Sequence, residues 1–241
     1  MTFEKNLLAG KTAIVTGGTT GIGAAIAAGL GQLGCKVSVA GFGADAYEAP
    51  AWTEIVAREL DVTDAAGVED FVASFERLDI LVNCAGMIRR VEEHQLDVFE
   101  KVLAVNLTGT MRFCTAARPK LAATGGCIVN TASMLSFFGG GLVPAYTASK
   151  GGVAQLTKSL AVAYAQDRIR VNAVAPGWIA TPLTQALQDD PARSEPILSR
   201  TPLGRWGQPE DVAQAVTFLV SPAAGFLTGV ILPVDGGYLV A

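Results

Sequence analysis

The sequence is short of the residues that metal and thiol chemistry need. It has one histidine, His94, with no cysteine or histidine at ligand spacing, so no metal site is expected. The four cysteines, Cys35, Cys84, Cys114 and Cys127, form no C-x-x-C pair. They read as reduced thiols of a cytoplasmic protein rather than as a disulfide framework. Charged residues are only 17% of the chain and leave a net charge of −4, which gives no electrostatic basis for nucleic acid or an anionic membrane as a partner. No apolar run approaches the roughly 20 residues of a membrane span. Met1–Gly10 is too polar and too short for a secretion signal. Repeats, charge blocks and low-complexity linkers are absent, and so is a Walker-type Gly-Lys-Ser/Thr.

What is present is apolar: half of the 241 residues are hydrophobic, ample for one sizeable core. Short apolar runs read as strands at Thr12–Thr16, Lys36–Gly41, Ile55–Leu60, Asp79–Asn83, Gly126–Ser133, Ile169–Ala175 and Val230–Val234. Helical spacing appears at Ile22–Leu33, Leu96–Leu121, Ala145–Ala165 and Gln208–Val220. Strands alternating with helices predict βαβ units and a doubly wound α/β fold. The strands are continuous apolar runs, as a parallel sheet covered on both faces requires. The stretch Gly41–Thr53 is short, so the helix usual between strands two and three is missing or reduced. The Pro-rich segment from about 178 to 207 reads as an insertion over the sheet, of the kind that forms a lid, within a single domain spanning 1–241.

Between the first strand and first helix lies Thr16-Gly17-Gly18-Thr19-Thr20-Gly21-Ile22-Gly23. Glycines there let the backbone turn sharply and approach a diphosphate, and the following helix would aim its free N–H groups at that anion. Tyr146 and Lys150 stand four residues apart, on one helical face. A free phenol has a pKa near ~10, and a neighbouring ammonium favours the phenolate. The pair therefore reads as a proton-transfer group, with Lys150 expected to lower the pKa of Tyr146. Ser133, thirteen residues earlier, would hydrogen-bond a reacting oxygen. Arg89 or Arg90 could pair with a substrate carboxylate.

The spacing T-G-x-x-x-G-I-G resembles the short-chain dehydrogenase/reductase family. Asp61-Val62, Asn83-Cys84-Ala85-Gly86, Asn106 in V-N-L, Ser133, Tyr146-x-x-x-Lys150 and Pro176-Gly177 follow in the family's order. Cys84 stands where the family's N-N-A-G turn has its second Asn. The resemblance implies a Rossmann-type, mainly parallel seven-stranded sheet and an NAD(P)-dependent interconversion of a secondary alcohol and a ketone. It implies a catalytic set of Asn106, Ser133, Tyr146 and Lys150, with Lys150 on the nicotinamide ribose and Asn106 holding a relay water. It implies dinucleotide contacts from Gly17, Thr19, Thr20, Gly21, Ile22, Gly23, Phe42, Asp61, Val62, Asn83, Ala85, Gly86, Tyr146, Lys150, Pro176, Gly177, Ile179 and Thr181. Asp61-Val62 would meet the adenine.

Gly41 and Phe42 replace the family's usual acid and arginine at the end of the second strand, and Thr20 stands where NADP-binding relatives often carry a cation. NAD is therefore preferred and NADP remains an alternative. Met87-Ile88-Arg89-Arg90 and Met134-Leu135-Ser136-Phe137-Phe138 resemble the branch acting on keto-deoxy sugar acids. Arg89, Ser133, Met134, Tyr146 and Trp178 are the candidate substrate contacts, and the substrate is a small hydroxy acid or keto-deoxy sugar acid. A neutral or cyclic alcohol and a noncatalytic dinucleotide-binding role are the alternatives. The resemblance also implies a homo-oligomer, a tetramer or dimer, with the tail Val230–Ala241 at a subunit contact.

Overall fold

The computed structural model describes residues 3–51 and 53–241; Met1, Thr2 and Trp52 lie outside them. Seven strands form one sheet: β1 (Thr12–Thr16), β2 (Lys36–Gly41), β3 (Ile55–Glu59), β4 (Ile80–Asn83), β5 (Cys127–Thr131), β6 (Arg170–Pro176) and β7 (Ile231–Val234). Their order is β3-β2-β1-β4-β5-β6-β7, and every pairing is parallel. The chain first winds outward from β1 to β3 and then restarts at β4 on the other side. The loops leaving β1 and β4 therefore diverge and open a crevice at the C-terminal edge.

Alternation along the strands divides the core. Ala13, Val15, Val37, Val39, Val82 and Val129 face α1 (Gly21–Gln32) and α8 (Pro209–Val220). Ile14, Leu81, Ile128 and Val171 face the opposite way, where α4 (Gly109–Thr124) contributes Phe113 and α5 (Pro144–Tyr164) contributes Leu160. Both faces being covered, β4 is buried at every position.

Two helical segments differ from the sequence-based expectation. α2 (Ala65–Ala73) buries Val68, Phe71 and Val72. The long helix expected over Leu96–Leu121 is α3 (Leu96–Leu103), a π-turn over Ala104–Thr108, and then α4. Between β2 and β3 the described residues make a 3₁₀ turn, Ala44–Ala46, and no longer helix. The region 178–207 contains α6 (Gln185–Gln188) and α7 (Pro191–Arg200). Its base is closed by a bridge between Ile179 and Gly207, with Ala180 N–H donating to Gly207 O and Gly207 N–H to Trp178 O. Among the described residues no helix is long and apolar enough to cross a membrane.

Candidate active site

The glycine turn lies in the crevice. Thr16 Oγ1 accepts hydrogen bonds from the N–H groups of Cys84 and Ala85, both at 3.1 Å. This ties the loops after β1 and β4 together. Gly17 has φ +62°, and a Cβ there would lie 2.7 Å from Ala85 Cα, so no other residue fits. Gly21, with φ +53°, opens α1, and Thr20 makes no side-chain cap. The first-turn N–H groups of α1 are thus left for an anion. These features fit the diphosphate of a dinucleotide. Thr19 Oγ1 donates to Phe42 O at 2.9 Å, bracing the ends of β1 and β2, and Phe42 itself is exposed. Asp61 accepts from Thr63 N–H and Oγ1–H, both at 2.8 Å, and the buried Val62 packs against Gly109.

Asn83 ends β4. Its side chain turns into the sheet, donating to Asn130 Oδ1 at 2.9 Å, and Asn130 Nδ2 donates to Thr157 Oγ1 at 2.9 Å. It braces β4 to β5 and α5, and only its main chain borders the crevice turn.

A cavity of about 320 Å³ adjoins this cradle, lined in part by Arg90, Ser133, Met134, Phe138, Tyr146 and Trp178. Ile22, Pro176, Gly177, Ile179 and Thr181 also border it. Pro144 is the first residue of α5, where a missing N–H costs nothing, so Tyr146 falls in the first turn and Lys150 one turn on. Lys150 is buried, and its Nζ donates to Thr131 O at 2.6 Å. The ammonium lies 5.5 Å from the Tyr146 ring centroid. Burial pushes Lys150 down to about 8, with the Cys84 thiol opposing it. Burial pushes Tyr146 up to about 12, against the pull of the Ser133 hydroxyl and Arg90, with Cys84 and Glu93 adding to the rise. The expected lowering of the phenol by Lys150 is therefore not seen. Desolvation dominates, and the ammonium is directed at a carbonyl rather than at the phenol.

Ser133 is held by its own turn. Its Oγ accepts from Leu135 N–H at 3.2 Å, and Ser136 Oγ accepts from Ser133 N–H and donates to Lys150 O at 2.7 Å. Asn106 sits in the π-turn. Its Nδ2 donates to Met87 O and Ser149 Oγ, both at 3.0 Å, and its Oδ1 accepts from Met87 N–H at 2.8 Å. Its carbonyl accepts from Thr110 Oγ1 at 2.8 Å. The side chain thus fixes the turn after Gly86, a glycine whose Cβ would lie 3.7 Å from Lys150 Nζ.

A family model described as enoyl-(acyl carrier protein) reductase matches residues 17–239. The chain belongs to the short-chain dehydrogenase/reductase family. It is 44% identical to a 2-dehydro-3-deoxy-D-gluconate 5-dehydrogenase of Bacillus subtilis, over 96% of each chain. It is 42% identical to a cis-4-hydroxycyclohexanecarboxylate dehydrogenase of Sinomonas cyclohexanicum, over 95% of this chain and 96% of the other. A crystal structure from Agrobacterium tumefaciens, provisionally assigned as a 2-deoxy-D-gluconate 3-dehydrogenase and holding NADP, superposes with a TM-score of 0.91 at 44% identity, covering 99% of this chain and 100% of that one. This short-chain dehydrogenase/reductase is an NAD(P)-dependent oxidoreductase.

At the cavity the structure separates the two arginines that the sequence left as alternatives. Arg89 is exposed, and its guanidinium donates to Ile88 O. Arg90, half-buried, is the arginine that lines the cavity. Sequence reasoning also missed Glu93, which is 1% exposed. One carboxylate oxygen accepts from Arg89 N–H and the other from Tyr146 N–H, each at 2.8 Å. It holds the arginine turn to the start of α5, beside Val91, which has a strained φ of +69°. Nothing local marks Glu93, because its two partners are main-chain groups, one of them 53 residues away.

Proposed function

We propose that this reductase interconverts a secondary alcohol and a ketone in a small carboxylate-bearing molecule, with Tyr146 transferring the proton. The observation that carries this reading is the cavity itself. Ser133 and Tyr146 share it with one half-buried cation, Arg90, and most of the remaining wall is apolar. The bound dinucleotide supplies the hydride donor or acceptor. A phenol is protonated at neutral pH, so Tyr146 donates to the substrate oxygen during reduction and is left as the phenolate, the form that takes the substrate's proton in the oxidative direction. Ser133 stabilises charge on that oxygen. Lys150, with Asn106 fixing the turn beside it, holds the ribose end and restores the proton. Arg90 pairs with the carboxylate.

The relatives named above act, by name, on bodies as different as a deoxy sugar acid and a cyclohexane ring. Both names contain a carboxylate, which supports Arg90 as the shared anchor. The apolar lining, including Phe138, Leu142 and Trp178, favours a carbocyclic hydroxy acid as a second reading beside a keto-deoxy sugar acid. The cradle residues, Gly17 to Gly23 with Asp61, Val62, Pro176, Gly177, Ile179 and Thr181, would carry the dinucleotide, with NAD preferred. The segment 178–207 would serve as the lid, and the cytoplasmic protein would assemble as a homotetramer.

A panel of sugar acids, carbocyclic hydroxy acids and neutral alcohols, read by NADH or NADPH absorbance, tests the reading. Arg90→Ala should raise KM for acids by about 30-fold, the worth of one charge-assisted pair, and leave neutral alcohols unchanged. Equal effects on both would reject the carboxylate anchor.

A further inference from the structure

We infer that Glu59, at the end of β3, sets this enzyme's choice between NAD and NADP by presenting a carboxylate to the adenosine ribose. The inference rests on the dinucleotide reading above and adds a residue to it. Gly41 ends β2 without a side chain, so the usual place for a ribose-binding acid is empty. Gly41 pairs laterally with Glu59, and paired residues of a parallel sheet share a face. That face looks onto the glycine turn: a Cβ on Gly41 would lie 3.4 Å from Gly17 Cα and 3.8 Å from Thr19 Oγ1.

Glu59 is also fixed in place. Its Oε2 accepts from Ala44 N–H at 2.8 Å, which holds the carboxylate beside the 3₁₀ turn that follows β2. Among the described residues its second oxygen has no hydrogen-bond donor, and it can accept from a ribose 2′-hydroxyl. A 2′-phosphate at that corner would meet like charge. The surroundings supply no compensation. Thr19, Thr20, Phe42, Gly43 and Ala44 are uncharged, and Asp45 is another acid. Arg58, one residue before Glu59, is on the other face, with its guanidinium 5.3 Å from the Phe71 ring centroid.

The test is direct binding, with no substrate present. NADH and NADPH are titrated into the protein and followed by nucleotide fluorescence. Wild type should bind NADH more tightly. Glu59→Gln keeps an acceptor for Ala44 and removes the charge. It should tighten NADPH by about tenfold, the size of one partly screened charge contact, while NADH changes by less than about threefold. Glu59→Lys should move the preference further toward NADPH. A wild type that prefers NADPH, or an unchanged ratio in both variants, would overturn the role of Glu59. Failure of wild type to bind either nucleotide would instead overturn the dinucleotide reading on which it stands.

Discussion

The two edges of the sheet treat buried charge in opposite ways. At the N-terminal edge Asp79 is 3% exposed, yet it is fully partnered. Lys11 Nζ donates to it at 3.0 Å, Arg77 at 2.8 and 2.7 Å, and Thr12 N–H at 3.1 Å. Burial alone would raise its pKa, but these donors outweigh burial and hold it below the usual carboxylate range. At the C-terminal edge the buried Lys150 has one carbonyl as partner and no carboxylate. Nearby, Thr131 Oγ1 and Trp178 Nε1 are buried without a hydrogen-bond partner among the described residues. One edge is arranged for stability. The other keeps polar groups unsatisfied, which is what a site that must receive a ligand requires.

Three substitutions probe this contrast. The largest effect belongs to Tyr146→Phe, which should lower turnover by about 10³-fold while NADH affinity stays within about twofold of wild type. Steady-state rates and fluorescence titration measure the two, and retained turnover would remove Tyr146 from the chemistry.

Next in size is Asp79→Asn at the other edge. It should destabilise the fold by about 2 kcal/mol, a figure reduced because Lys11 and Arg77 are themselves about half exposed. A depressed carboxyl pKa means the stabilisation is complete above the unfolded value and is lost as pH falls through the folded one. Urea melts of the variant and wild type should therefore differ at pH 7 and converge below about pH 4.

The smallest effect is the most diagnostic. Lys150 titrates near 8 when folded and near ~10.4 when unfolded, so the folded state pays for its charge at neutral pH. Lys150→Met should stabilise the protein by about 1 kcal/mol at pH 7, after allowing for the hydrogen bond lost to Thr131. The gain should fade between pH 8 and about pH 10.5 as the wild-type lysine discharges in both states. A less stable variant at pH 7 would mean that this cation is not a burden to the empty fold.

The sequence made the sheet readable because each strand is a short apolar run bounded by turn residues. Strand and helix ends shift by a few residues, as at Cys127–Thr131. α2 does have a sequence signal, Val68, Phe71 and Val72 at helical spacing after Asp64. The π-turn at Asn106 carried none, because its neighbours keep ordinary helical spacing on both sides. Ser133, Tyr146, Lys150 and the glycine turn were legible as motifs fixed by local backbone geometry. Arg90 could not be told from Arg89, since neighbouring residues in a loop point in different directions only once the turn at Val91 is known. Glu93 and Glu59 were illegible for one shared reason: each acts on a main-chain N–H that the fold, not the sequence, brings near.

Glu93 has a consequence for what the enzyme accepts. One side chain ties the main chain of the arginine turn to that of the tyrosine helix, so Arg90 and Tyr146 stand on a common fixed footing, like two pins of a gauge. Such an instrument selects by length. On the proposed reading of Arg90 as a carboxylate anchor, a molecule whose acid group lies one carbon too far from its carbonyl would be turned away, whatever the chemistry of the body between them.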